Sequence, residues 1–258
     1  DLHRENKGEI SWEDVGDEPY LMSQRLAGVP IIVSKHRFVS GSYAVEKYDP
    51  DILILDDGFQ HLKLQRDLDL VVIDSTNPWG NGRFLPAGIL REPLSSLKRA
   101  DIFILTKTDQ VSDLAETIDT LRKYNPQTPM AESIYRLRSV ENLSDKLPVD
   151  TGKLENKKTL AFSGIGNPKS FENSLRRLKI NVLKHRIFPD HFAYCQQNIL
   201  SLVEEAKGIG ADFIVTTEKD SVRIPMVNRE VVPIYVIKID LEITGGEETL
   251  FEKIEGMI

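Results

Sequence analysis

Two adjacent carboxylates, Asp56 and Asp57, head the segment Asp56-Asp57-Gly58-Phe59-Gln60-His61, directly after the apolar run Ile52-Leu53-Ile54-Leu55. If that run is a strand of a parallel sheet, the acids stand at the carboxyl edge, where ligands of such sheets bind. Successive strand side chains point to opposite faces, so one acid is free to hold a metal while the other orients a neighbour, and Gly58 admits a sharp turn. The same residues also make an ordinary polar strand exit.

Further polar groups stand at strand ends and turns. Asp74 ends an apolar run and opens the Gly- and Pro-rich stretch 77–92, which contains Arg83, Arg91 and Glu92 and reads as a long functional loop. An arginine grips phosphate oxygens with its planar fork and a neighbouring glutamate completes a magnesium shell, so Arg91-Glu92 suits phosphate and metal work as well as a plain surface ion pair. Lys107-Thr108-Asp109 follows a strand as Lys-x-Asp segments do where purine bases are read, although a strand-end ion pair is equally consistent with it. Thr217-Glu218-Lys219-Asp220 has the same placement and no chemistry legible from its residues alone. Asp17, in Gly16-Asp17-Glu18-Pro19, suits the positive end of a helix, and His191, in Phe188-Pro189-Asp190-His191, sits in a turn-like setting. A histidine beside an aspartate can tune a general base for transfer to a hydroxyl, but nothing local pairs His191 with Asp17.

These groups need elements to hold them. Apolar runs at 29–33, 51–55, 68–73, 102–106, 159–162, 213–216 and 234–237 lack polar alternation, which predicts strands covered on both faces. Helical patterns at 19–27, 114–124, 169–178 and 196–207 supply crossovers, and Asn167-Pro168 opens the third as N-cap and first helical residue. The fold class is α/β: a mostly parallel sheet flanked by helices, with a second, smaller α/β subdomain. Polar composition with Pro148 and Gly152 predicts a linker or hairpin over 136–158, between a core at 1–135 and a C-terminal α/β subdomain at 159–258.

The 258 residues, 40% hydrophobic and 28% charged, bury a sizeable core, and a net charge of -7 argues against a general nucleic-acid binder. The single cysteine, Cys195, excludes an internal disulfide and a cysteine-cluster zinc site, and its expected role is packing. No apolar run approaches the roughly 18 residues of a membrane span. The start, Asp1-Leu2-His3-Arg4-Glu5, has no signal-peptide pattern and no initiating Met, so a processed or partial sequence is expected.

Taken in order, Val15-Gly16-Asp17-Glu18-Pro19, Leu55-Asp56-Asp57-Gly58-Phe59-Gln60-His61, Leu90-Arg91-Glu92-Pro93-Leu94 and Thr106-Lys107 resemble the tetraacyldisaccharide 4'-kinase (lipid A 4'-kinase) family. Phe162-Ser163-Gly164-Ile165-Gly166-Asn167-Pro168, Phe188-Pro189-Asp190-His191 and Thr217-Glu218-Lys219-Asp220 extend the likeness over nearly the whole chain. The resemblance implies a P-loop NTPase-like kinase fold that passes the γ-phosphate of ATP to the 4'-hydroxyl of a lipid-linked glucosamine disaccharide 1-phosphate, with Mg2+. It implies Asp17 as base assisted by His191, with Asp57 and Arg91 at the transferring phosphoryl. Asp56, Asp57 and Glu92 are implied on the metal side, and Lys107 and Asp109 on the nucleotide side. The implied location is peripheral, on the cytoplasmic face of the bacterial inner membrane, with Trp79, Phe84 and Leu85 as candidate lipid contacts or ordinary loop packing. A GTP-hydrolysing metallochaperone-type P-loop protein and a non-catalytic lipid-disaccharide-binding module are the competing readings.

One departure stands out. The family places a Gly-x-x-x-x-Gly-Lys-Ser/Thr phosphate loop upstream of Gly-Asp-Glu-Pro, and these residues contain no such motif, since Thr151-Gly152-Lys153 lacks the earlier glycine. The first strand and an N-terminal membrane-associating helix are expected to be missing with it. The purified 258-residue chain is therefore expected to show no ATP-dependent 4'-phosphorylation, and detectable product in a radiolabelled-ATP assay contradicts that expectation.

Overall fold

In the computed structural model, residues 10–225 and 232–257 are described, so the Asp1–Glu5 start lies outside them. Helices α1 (Trp12–Val15), α2 (Asp17–Arg25) and α3 (Arg37–Tyr48) precede strand β1 (Leu70–Asp74). Strand β2 (Ile102–Thr106), helix α4 (Ala115–Tyr124) and strand β3 (Met130–Asn142) follow, then β4 (Lys158–Ser163), α5 (Pro168–Arg177) and β5 (Asn181–Ile187). The chain continues through α6 (Gln196–Ile209), β6 (Phe213–Thr217), α7 (Glu218–Ser221), β7 (Ile234–Gly245) and α8 (Glu247–Glu255).

Two units form: a first from the residues up to 33 together with 137–239, and a second from 34–136 together with residues from 240 onward. Neighbouring strands run β3-β7-β6-β4-β5 in the first and β1-β2-β3-β7 in the second. The pairs β4/β5, β4/β6 and β6/β7 are parallel, as are β1/β2 and β2/β3. Because side chains alternate, β4 sends Leu160 and Phe162 to one face, against Ile199, Leu202 and Val203 of α6, and Ala161 to the other, with Phe171 and Leu175 of α5. The second unit repeats the device: Phe103 and Leu105 pack with Leu121 of α4, whereas Ile102 and Ile104 pack with Leu250 of α8. Both sheet faces are covered, which explains the unalternated apolar runs of β2, β4 and β6.

The predicted strands over 68–73, 102–106, 159–162, 213–216 and 234–237 are present, as are all four predicted helices, within a few residues of their expected ends. Asn167 caps α5, its side chain accepting from Ser170 N at 3.0 Å, with Pro168 first in the helix. Two predicted strands are not formed: 29–33 and 51–55 have no ladder partner among the described residues, and Ile54 is 93% exposed. A buried strand needs neighbours on its hydrogen-bonding edges, and composition alone does not supply them. Strands β3 and β5 escape the apolar-run test because their residues are mixed: β3 interleaves Glu132, Arg136, Arg138 and Glu141, and β5 is mostly exposed. The stretch 136–158 holds the end of β3, a turn that folds back through Asn142 N to Leu147 O (2.9 Å) and Val149 N to Val140 O (2.8 Å), and a short 3-10 turn, Thr151–Lys153. Residues up to 33 group with 137–239 and not with 34–136, a discontinuity that a single boundary in sequence does not express.

Phe162 is fully buried and meets the rings of Phe188 and Tyr194 edge-on at 6.4 and 5.3 Å between centroids. Phe162→Ala is expected to destabilise the protein by about 3–5 kcal/mol in urea unfolding, from lost transfer energy plus a cavity. A loss below about 1 kcal/mol contradicts this packing.

Candidate active site

In the first unit the chain turns at Gly16, whose φ of 94° suits glycine, and α2 begins at once with Asp17. Asp17 is buried, and its Oδ1 accepts from the backbone N–H of Glu18 at 3.0 Å. From 174 positions away, His191 brings Nδ1 to 2.9 Å from Oδ2 and 3.1 Å from Oδ1. An ionised carboxylate only accepts hydrogen bonds, so Nδ1 carries the proton in this arrangement. The His191 ring is half exposed, and its Nε2 lies 3.9 Å from Asp190 Oδ2. Lys219 pairs with Glu18 at 2.8 Å, and the buried Arg223 places Nε 3.5 Å from Asp17 Oδ2. Burial pushes the Asp17 carboxyl up. The hydrogen bond and positive charge of His191, with the charges of Lys219 and Arg223, outweigh it and hold Asp17 below the usual carboxylate range.

Beneath this pair, Asp220 is wholly buried. It accepts from Gly164 N (2.9 Å), Tyr194 Oη (2.9 Å), Thr217 Oγ1 (2.6 Å) and Arg223 Nη2 (2.6 Å). Gly164 is needed here because a Cβ would lie 2.9 Å from Pro189 O and 3.1 Å from Tyr194 Oη. Burial and the adjacent Asp220 charge push the Tyr194 hydroxyl upward, so it stays a donor.

In the second unit, Arg91 Nη1 donates to both oxygens of Asp57, at 2.6 and 2.7 Å, and both side chains are exposed. Arg37 Nη2 reaches the backbone carbonyls of Asp56 (3.4 Å) and Asp57 (3.1 Å). The left-handed residue of the turn is Asp57, with φ 48°, and not Gly58, whose φ is not positive. Glu92 accepts from Gln60 at 2.9 Å and, through both oxygens, from Arg99 at 2.8 and 2.9 Å. Lys107, buried and left-handed at φ 58°, forms an ion pair with Asp74, which also accepts from Thr76. Burial raises the Asp74 carboxyl, and Lys107 and Thr76 more than reverse this, so its range is lowered. Asp109 lies in the 3-10 turn Thr108–Gln110.

The structure thus joins Asp17 to His191 and Asp57 to Arg91. It does not gather the metal-side acids. Among the described residues no three His, Cys, Asp or Glu side chains are placed to hold a metal, and Asp57 and Glu92 each engage an arginine instead. As arranged, Asp56, Asp57 and Glu92 do not fit a protein-ligated cation. Sequence reasoning missed Arg223, Arg99 and the Lys107–Asp74 pairing. No pattern in the sequence pointed toward Arg223, which lies three residues past the polar segment that follows β6.

Residues 2–258 match the family model described as Tetraacyldisaccharide-1-P 4'-kinase. The chain belongs to this family. It is 37% identical over 218 residues to the Tetraacyldisaccharide 4'-kinase of Pelobacter propionicus, covering 84% of this chain and 58% of that protein. The proteins of that name from Syntrophobacter fumaroxidans (38% identical, 93% and 62% covered) and Desulfotalea psychrophila (40%, 88% and 64%) match as well. The chain therefore spans about three fifths of the length of these relatives. The crystal structure of LpxK from Aquifex aeolicus in complex with ATP superposes with a TM-score of 0.70 at 29% identity, covering 99% of this chain and 76% of that one. The fold is accordingly a P-loop kinase fold, a mostly parallel sheet flanked by helices.

Because the Asp17 carboxyl is lowered in the folded state, its stabilising contribution is full above the ordinary aspartate value of 3.8 and is lost as pH falls through the lower folded value. The stability gap between the parent and Asp17→Asn is thus expected to narrow on acidification below pH 3.8 in thermal unfolding. A gap independent of pH contradicts the ionised pair.

Proposed function

We propose that the chain serves transfer of the γ-phosphate of ATP to the 4'-hydroxyl of a tetraacyl glucosamine disaccharide 1-phosphate in lipid A biosynthesis, a reaction that these 258 residues by themselves, which hold no phosphate loop, are not expected to complete. The observation that carries this reading is the Asp17–His191 hydrogen bond at 2.9 Å, because it supplies a base for an alcohol acceptor. Membership of the kinase family and likeness to an ATP complex support it.

Asp17 accepts the 4'-hydroxyl proton as the O–H bond breaks and the new O–P bond forms, and ADP departs with the electrons of the broken phosphoanhydride. His191 donates Nδ1–H to the carboxylate, which fixes the direction of its oxygens, and its half-exposed ring leaves the pair open to an incoming sugar. On the family resemblance we assign Arg91, which is exposed and paired with Asp57, to the transferring phosphoryl, where neutralising charge contributes most of the rate. Lys107 and Asp109 are assigned to the nucleotide on the family resemblance.

The substrate is amphipathic, and we place the protein peripherally on the cytoplasmic face of the inner membrane. No helix among the described residues is long and apolar enough to cross a membrane. Phe84 and Leu85 are more than half exposed, which suits a shallow lipid contact.

In the full-length protein, Asp17→Ala and His191→Ala are expected to lower kcat by about 10²–10⁴-fold while leaving ATP affinity within a few-fold of the parent. Steady-state kinetics with separate ATP titration checks this, and an unchanged kcat removes both residues from catalysis.

A further inference from the structure

The segment from Thr217 to Arg223 surrounds the proposed base with charge, and nothing in the reaction as described uses it. Helix α7 grips α2 near both ends. Glu218 takes Arg25 in a two-pronged ion pair at the end of α2, and Lys219 pairs with Glu18 at its start. One turn further, Arg223 closes the grip from beneath, with Nε 3.5 Å from Asp17 Oδ2 and its side chain fully buried.

Arg223 is anchored on its far side. Its Nη2 donates to Asp220 Oδ1 at 2.6 Å and to Gly164 O at 2.9 Å, and its guanidinium lies 5.9 Å from the Tyr194 ring centre. Its Nε and Nη1 are buried without a hydrogen-bond partner, so the cation depends on the charge of Asp17 as well as that of Asp220. Charges therefore alternate along Asp220, Arg223 and Asp17, and the Nδ1–H of His191 donates to the far side of the last. His191 from the turn after β5 and Arg223 from the segment after β6 reach the Asp17 carboxylate, while Lys219 pairs with Glu18 and lies 3.9 Å from Asp190, and Asp220 holds Arg223 from the far side.

We infer that Arg223, anchored by Asp220 and assisted by Lys219, is the positioning residue that holds Asp17 as a carboxylate turned toward His191. The inference rests on Asp17 being the base. Asp220 cancels much of the charge that a buried arginine would otherwise carry alone, and Arg223 does the same for Asp17. The two cations also oppose the effect of burial on Asp17, in the direction already described.

The test is the pH dependence of kcat, with KM for ATP, in the full-length protein carrying Arg223→Met, Arg223→Lys, Lys219→Met or Asp17→Asn. Arg223→Met is expected to move the acid limb to higher pH and to lower kcat at neutral pH by about tenfold to a hundredfold with KM for ATP unchanged, as misplacement of a catalytic group does. Arg223→Lys is expected to return the limb toward the parent, and Lys219→Met to shift it in the same direction by less. Acid limbs unmoved in both methionine variants overturn the inference. Should Arg223→Met fail to fold, Lys219→Met decides, since Lys219 is partly exposed and its loss leaves the buried pair intact. An Asp17→Asn enzyme with the parent kcat defeats the base assignment itself. An inactive Asp17→Asn beside unmoved limbs defeats only the role of Arg223.

Discussion

A carboxylate withdrawn from water keeps its charge only where other groups replace the lost solvation, and that constraint bears on Asp17, the proposed base. Its neighbours meet the constraint in layers. A backbone amide and an imidazole donate directly, a buried arginine lies behind, and a fully buried aspartate with four donors holds the arginine. The first unit's strand order explains how these groups meet. Strands β6 and β4 are neighbours, so the loops beyond their carboxyl ends bring Asp220 and Gly164 together, and the turn after β5 delivers His191 beside them.

Positive φ is shared by site residues and by Asp49, Lys146, Asn156 and Lys179, which carry no site role, so it does not single out the site by itself. Asp57, Lys107 and His191 are non-glycine residues with φ between 48° and 58°, a region that side chains with a Cβ adopt only when their surroundings demand it. Asp57 is held by Arg91 and, through its carbonyl, by Arg37, and Lys107 by Asp74. His191 is held by Asp17 and by its own backbone N–H to Gly164 O at 3.2 Å. The local conformation of each is thus fixed by partners distant in sequence.

That distance decides what the amino-acid sequence could reveal. Strands β2, β4 and β6 are legible because both of their faces are covered, and the Asn167-Pro168 cap because capping is a local event. Strand β5 is an exposed edge and β3 mixes charges into its length, so neither shows a period that composition can detect. Runs 29–33 and 51–55 have strand composition without ladder partners, the converse failure. At the site, Asp17 and His191 were each recognisable as chemistry-bearing residues, and the order of motifs across the chain, not any local pattern, made them a pair. Arg223 had no such signal, because an arginine three residues past a polar turn looks like surface until the fold buries it.

The central claim is that an ionised Asp17 is held by Nδ1–H of His191. Long-range proton–nitrogen correlation spectra of histidine-labelled protein at neutral pH read the protonation of each imidazole nitrogen directly. The account predicts a protonated His191 Nδ1 in the parent and loss of that signature in Asp17→Asn. A neutral ring protonated only at Nε2, unchanged by the substitution, contradicts it.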